Sequence, residues 1–335
     1  MDNPVLVEAT RGGVVESRHR GALAVVDARG GVVLALGDVE QPVFPRSAVK
    51  ALQALPLVEG GGADRYGLSD AELALACSSH SGEPAHAIGA AAMLEKAGRA
   101  PSCLECGAHW PMNEVAARAL AAQGETPTAL HNNCSGKHAG FVCLACDRDV
   151  DPAGYVRSDH PVQRAVKAAM EEVTGVRLDK SLRGVDGCSI PTYATPILAL
   201  ARGFARFGTG EGLPATRAQA AARLRKAVAA HPFMVAGSGR FDTRLMTLLG
   251  DRVFAKTGAE GVYCAALPNQ GLGIALKCDD GQGRAAEVML AALARRFLPL
   301  GGEEAGALDD MVTPTLRNWR GTEVGRLRPA GPLAC

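Results

Sequence analysis

The first 46 residues alternate short apolar runs with glycine and charge: PVLVEAT, GGVVESR and ALAVVDARGGVVLAL, the last broken by an Arg-Gly-Gly turn signal. Valine-rich runs of this length, bounded by turn residues, predict antiparallel strands. From Ser47 the pattern changes to alanine-rich helical periods. SAVKALQALPLV, SDAELALAC and HPVQRAVKAAMEEVTG each read as helix. The second carries a capping box from Ser69 to Glu72, and the third has Pro161 in its first turn and Gly175 past its end. Near residue 250 strands return in DRVFAKTG, EGVYCAAL and LGIALKCD, followed by GRAAEVMLAALARRFL as an amphipathic helix.

This order predicts an α/β fold, a single unit over 1–335, in which segments 1–46 and 250–300 form one antiparallel sheet and a mainly helical region, 47–249, is inserted between them. The glycine and proline of the tail RPAGPLAC predict fraying there.

With 335 residues, 47% of them hydrophobic, the chain can bury a large core. Lys and Arg number 36 against 35 Asp and Glu, a net charge of +1 that gives no electrostatic footprint for nucleic acid or an anionic membrane. A small molecule is the expected partner. No apolar run approaches the roughly 18 residues of a spanning helix, and MDNPVLVEATRGG lacks the basic head and apolar stretch of an export signal, so a cytoplasmic location with reduced thiols is expected. Arginine outnumbers lysine 28 to 8. Arginine serves as surface charge but not as a base, so each retained lysine draws notice.

Ser47 and Lys50, in PRSAVKAL, lie three positions apart where a helix is predicted to begin, close enough for hydroxyl and amine to meet. The pair is open to two readings, a helix cap with a surface charge, or a nucleophile with its base. Lys256-Thr257-Gly258 at the end of a predicted strand adds weight to the second. A serine and lysine on an early helix, with Lys-Thr-Gly on a late strand, is the order of penicillin-recognising serine enzymes. Their Ser-Asp-Asn motif is absent between these two, with only Leu68-Ser69-Asp70 and His131-Asn132-Asn133 as poor imitations. CSSHSGEP, residues 77–84, offers further hydroxyls in a loop between helices, and HNNCSGKHAG concentrates His131, Cys134, Lys137 and His138. Zinc would accept two or three of these, with Cys188 in the turn VDGCSIP as a further thiolate.

Through PRSAVK, CSSHSGEP, HNNCSGKHAG, DGCSIPTYA and AKTGAEGVY, in that order, the chain resembles the rhizobial-type, or class 3, L-asparaginases over nearly its whole length. The resemblance implies a serine β-lactamase/penicillin-binding-like fold shared with related glutaminases, hydrolysis of L-asparagine to aspartate and ammonia, a zinc ion (Zn2+) and a homodimer. It places Ser47 with Lys50 in one serine and lysine pair and Ser79 with Lys256 in the other, Ser47 being the favoured nucleophile. Cys134, Lys137 and Cys188 fall on the family's zinc ligands, and Arg46, His138 and Asp186 on residues that bind substrate or support the metal. A lysine on zinc must give up its ammonium proton, so metal binding is expected to weaken as pH falls.

Overall fold

The computed structural model describes residues 2–334; Met1 and Cys335 lie outside the described residues. Strands β1 (Val5–Arg11), β2 (Val14–Asp27) and β3 (Val32–Leu36) come from the start of the chain. Strands β4 (Phe254–Gly258), β5 (Val262–Leu267) and β6 (Leu272–Cys278) come from its last third, followed by β7 (Thr315–Arg317) and β8 (Glu323–Pro329). All pair antiparallel in the order β7-β8-β1-β2-β6-β5-β4, with β3 also on β2. The predicted architecture, an antiparallel sheet from both chain ends with helices between, is the observed one.

The long strand β2 joins the two halves of this sheet. Its first half pairs with β1, its second half with β3 along one edge and β6 along the other. The helix Ile197–Thr209 packs on β2, β5 and β6, while Gly283–Phe297 contacts β1, β5, β6 and β8. Covered in this way, β5 is buried at every position and β6 at all but one. That explains why they read as unbroken apolar runs rather than as alternation.

Two expectations from the pattern do not hold. The tail does not fray at Arg328-Pro329: β8 pairs with β1, Ala9 opposite Leu327, and Ala330 N–H donates to Leu6 O. The sheet accordingly extends past residue 300. In EVGRLRP only Gly325 and Leu327 are buried, so an edge strand carrying alternate charges leaves little apolar signal. Nor does Ser47 cap the helix behind it. Residues Arg46–Val49 form a 3-10 turn that runs into the helix Lys50–Glu59, and neither start has a side-chain capping bond.

The Lys-Thr-Gly end of β4 lies against that turn. A Cβ on Gly258 would fall 2.5 Å from Pro45 O and 3.2 Å from Ala48 Cβ, so only glycine permits the approach. We expect Gly258→Ala to destabilise the protein by about 1–3 kcal/mol. Gly283→Ala, where a Cβ meets nothing within 4 Å, should change stability by less than about 0.5 kcal/mol. Urea melts of both variants check this, and equal stabilities would contradict the tight packing of strand on turn.

Candidate active site

The turn that carries Ser47 begins with Ala48 N–H bonding Pro45 O at 3.0 Å, so the Ser47 N–H precedes the first helical bond. Among the described residues Ser47 Oγ has no hydrogen-bond partner. Arg46 sits at φ +50°, a left-handed conformation that costs a non-glycine residue roughly 1–3 kcal/mol. Its guanidinium holds the turn in place: Nε donates to Asp186 Oδ1 at 2.6 Å, and Gly187 N–H donates to the same oxygen at 2.7 Å. Burial works to raise the Asp186 carboxyl, but the Lys137 and Arg46 cations outweigh it and hold it below its ordinary value.

Lys50 is the first residue of the following helix and is buried, with 1% of its surface exposed. Its Nζ donates to Ser78 O at 2.6 Å, Ser79 Oγ at 2.8 Å and Cys134 Sγ at 3.0 Å. All three ammonium hydrogens are thereby engaged. The serine hydrogen-bonded to Lys50 is Ser79, from the loop, rather than its neighbour Ser47.

That loop is pinned from several sides. Ser79 N–H donates to Val235 O, and Ser81 Oγ donates to Ala236 O. His80 accepts Gly82 N–H at Nδ1, so its Nε2 carries the proton and donates to Ser135 Oγ at 2.9 Å. The ring stacks on His86 with centroids 4.7 Å apart. Burial keeps His80 neutral, well below its usual pKa. His80 and Ser135 were not singled out in the sequence; as neighbours of Ser79 and Cys134, their link ties the hydroxyl loop to the cysteine helix.

Lys256 is fully buried on β4, and burial pulls its amine down to about 7, against a smaller opposing pull from Asp242. Its Nζ donates to Thr257 O at 2.8 Å. Side chains two apart on a strand share a face. Because the Cβ direction of Gly258 meets Pro45 and Ala48, Lys256 extends from β4 toward the side on which the Ser47 turn lies.

Cys134, Lys137 and Cys188 are brought together and buried. Lys137 Nζ donates to Cys188 Sγ at 3.0 Å, and the Cys134 thiol, which accepts from Lys50, lies beside the Cys188 thiol. The influence of each thiol on the other, opposed by burial at Cys134 and helped there by Lys50 and Lys137, holds Cys134 well below an ordinary thiol, and together with burial it pushes Cys188 up. Burial disfavours the Lys137 ammonium, yet the adjoining cysteines outweigh it and the net direction is upward. The turn bearing Cys188 is closed by Ser189 at φ +75°. Two thiols and an amine at this spacing are a donor set that suits a borderline-soft cation such as zinc.

His138 lies on the same helix as Lys137, but its Nδ1 is taken by Tyr155 OH at 2.6 Å. Tyr155 OH accepts Glu105 N–H, so its own hydrogen goes to Nδ1 and the imidazole proton stays on Nε2, which is buried without a partner among the described residues. His131 instead accepts Thr128 N–H and closes a short turn. A second group of ligand-type atoms, His19, Cys278 and Asp280, lies within 4.8 Å. There His19 Nδ1 is committed to Asp280 at 2.6 Å and Nε2 faces the Arg284 guanidinium, which closes the imidazole to a metal. All nine cysteines among the described residues are free thiols, and no helix among them is long and apolar enough to cross a membrane.

No curated protein sequence matches the chain. Among solved structures a β-lactamase from Mycobacterium bovis is similar at 13% identity and a TM-score of 0.41, covering 83% of this chain and 95% of that one. A likeness that slight carries no inference. The L-asparaginase II family model matches residues 7–329, a span that contains the Ser47 turn, the Ser79 loop, the cysteine cluster and β4. The chain belongs to the L-asparaginase II family.

Proposed function

We propose that this protein is an L-asparagine amidohydrolase of the rhizobial type, with Ser47 as nucleophile and Lys256 as its base. The observation that carries the reading is a fully buried lysine on the strand face that presses against the Ser47 turn, where burial draws its amine down to about 7. A neutral amine is what a serine hydroxyl needs in order to attack. Lys50, with its three hydrogens donated, instead orients Ser79 and Cys134.

Lys256 takes the Ser47 proton as Oγ adds to the side-chain amide carbon of asparagine. The Ser47 N–H, outside the helical ladder, is a donor for the oxyanion. Collapse of the tetrahedral adduct breaks the C–N bond, and the ammonium of Lys256 returns its proton to the departing nitrogen, which leaves as ammonia. Water then adds to the aspartyl ester, giving its proton to Lys256, and aspartate departs as Ser47 regains a hydrogen. The buried Nε2–H of His138 and the Arg46 guanidinium are the donors we assign to the substrate's polar ends.

Cys134, Lys137 and Cys188 are the residues that would hold zinc, which when bound supplies a positive, Lewis-acidic centre able to anchor the amino-acid end of asparagine. The family resemblance adds a homodimer to this reading, and light scattering on the eluting protein tests it.

Ser47→Ala should lower kcat for asparagine at least about a thousandfold while retaining zinc. Cys188→Ser should lose stoichiometric zinc, read by elemental analysis. A trapped aspartyl adduct located by mass spectrometry on Ser79 rather than Ser47 would move the nucleophile to the loop. The sign of the pH dependence follows from Lys256, which must be neutral to accept a proton. Activity, as kcat/KM, should therefore fall as pH drops through about 7. A flat profile from pH 5 to 8 would contradict the assignment.

A further inference from the structure

Asp242 is a charged residue that no motif accounted for. It lies in the first turn of the helix Phe241–Leu249, where an acidic side chain usually faces water and favours the helix start. Here it is fully buried. Oδ1 accepts Thr257 N–H at 2.8 Å and Oδ2 accepts Tyr263 OH at 2.9 Å. The first bond fixes the peptide joining Lys256 to Thr257. The second reaches the facing strand, since Thr257 and Tyr263 are opposite one another in the β4 and β5 register. Among the described residues β4 is at the sheet edge with no further strand on its open side, so the Asp242 carboxylate takes the place a strand would occupy.

We propose that Asp242 is a positioning residue for Lys256: its carboxylate clamps the Lys-Thr peptide and Tyr263, and sets the electrostatic surroundings in which the Lys256 amine works. The groups that act electrically on Lys256 are Asp242, Lys50, Arg240 and the thiols of Cys77, Cys134 and Cys264. Asp242 has the largest charge effect among them, and it favours the ammonium. Glu287 in turn feels Asp242: burial first, then this neighbouring charge, pushes its carboxyl up to about 7. The catalytic consequence rests on the proposed role of Lys256, whereas the clamp itself does not.

The test compares the wild-type protein with Asp242→Asn, which keeps an acceptor for Thr257 N–H and removes the charge, and with Tyr263→Phe, which keeps the charge and removes one bond. Lys256 titration is followed by pH-dependent labelling with a small amine reagent, quantified by mass spectrometry on the peptide containing Lys256. The Asn variant should shift the labelling midpoint downward by about one pH unit, because the anion that favours the ammonium is gone. The acid limb of kcat/KM on asparagine should move with it, and the plateau should fall at least about tenfold as the base weakens. Tyr263→Phe should move the midpoint little. An unmoved midpoint in Asp242→Asn, with melting temperature close to wild type, would overturn the proposal. A shifted midpoint in a protein that does not hydrolyse asparagine would uphold the clamp and reject the proposed reaction.

Discussion

Three lysine amines lie inside this protein, and the cost of taking each from water organises everything around them. Lys50, Lys137 and Lys256 are at most 2% exposed. Burying an unpaired ammonium costs several kcal/mol, so each must be hydrogen-bonded, paired with an anion or neutralised. The chain uses all three remedies. Lys50 is hydrogen-bonded to a carbonyl, a hydroxyl and a thiol. Lys137 leans on the cysteine pair and, more weakly, on Asp186. Lys256 has one carbonyl, and its amine is pulled toward neutrality.

The remedies differ because the elements holding the lysines differ. Lys50 opens a helix whose next residues are buried, so its side chain runs under the Ser79 loop and meets acceptors from two other segments. Lys256 projects from an edge strand, where backbone acceptors belong to the ladder and only a neighbouring carbonyl can be reached. The left-handed Arg46 fits the same economy: its strain is tolerated because the guanidinium neutralises Asp186 and fixes the segment that presents Ser47.

Much of the framework was legible from residue order. The Ser69 to Glu72 capping box, Pro161 at a helix start and Gly175 at φ +75° beyond its end are local devices, and local signals survive in a sequence. The three late strands were equally plain, being apolar and bounded by turns. What escaped were relations across distance. That Lys50 bonds Ser79 depends on a loop 29 positions away, and spacing pointed instead to Ser47. Asp242 reads in the sequence as an ordinary acidic residue at a helix start, because nothing there reveals that β4 ends its sheet beside it. His138 offered two ring nitrogens as ligands until Tyr155 was found to claim one. The strand Glu323–Pro329 was hidden by its own charges, which face water at an edge.

The pairing of β8 with β1 has a bearing on how the protein folds. Arg328 bonds Glu8 across 320 positions of chain, and the two strands are neighbours in the sheet. Closing so large a loop is slow and is rewarded only when the last strands arrive. The helical region between is free to collapse earlier on local contacts, carrying Ser79 and the cysteines with it. Strand β4 is tied to β2 only through β5 and β6, so the enclosure of Lys256 draws on elements from both ends of the chain. Reactive chemistry would thus be withheld from partly folded chains, since the amine gains its altered basicity only on burial, and burial comes with the completed sheet.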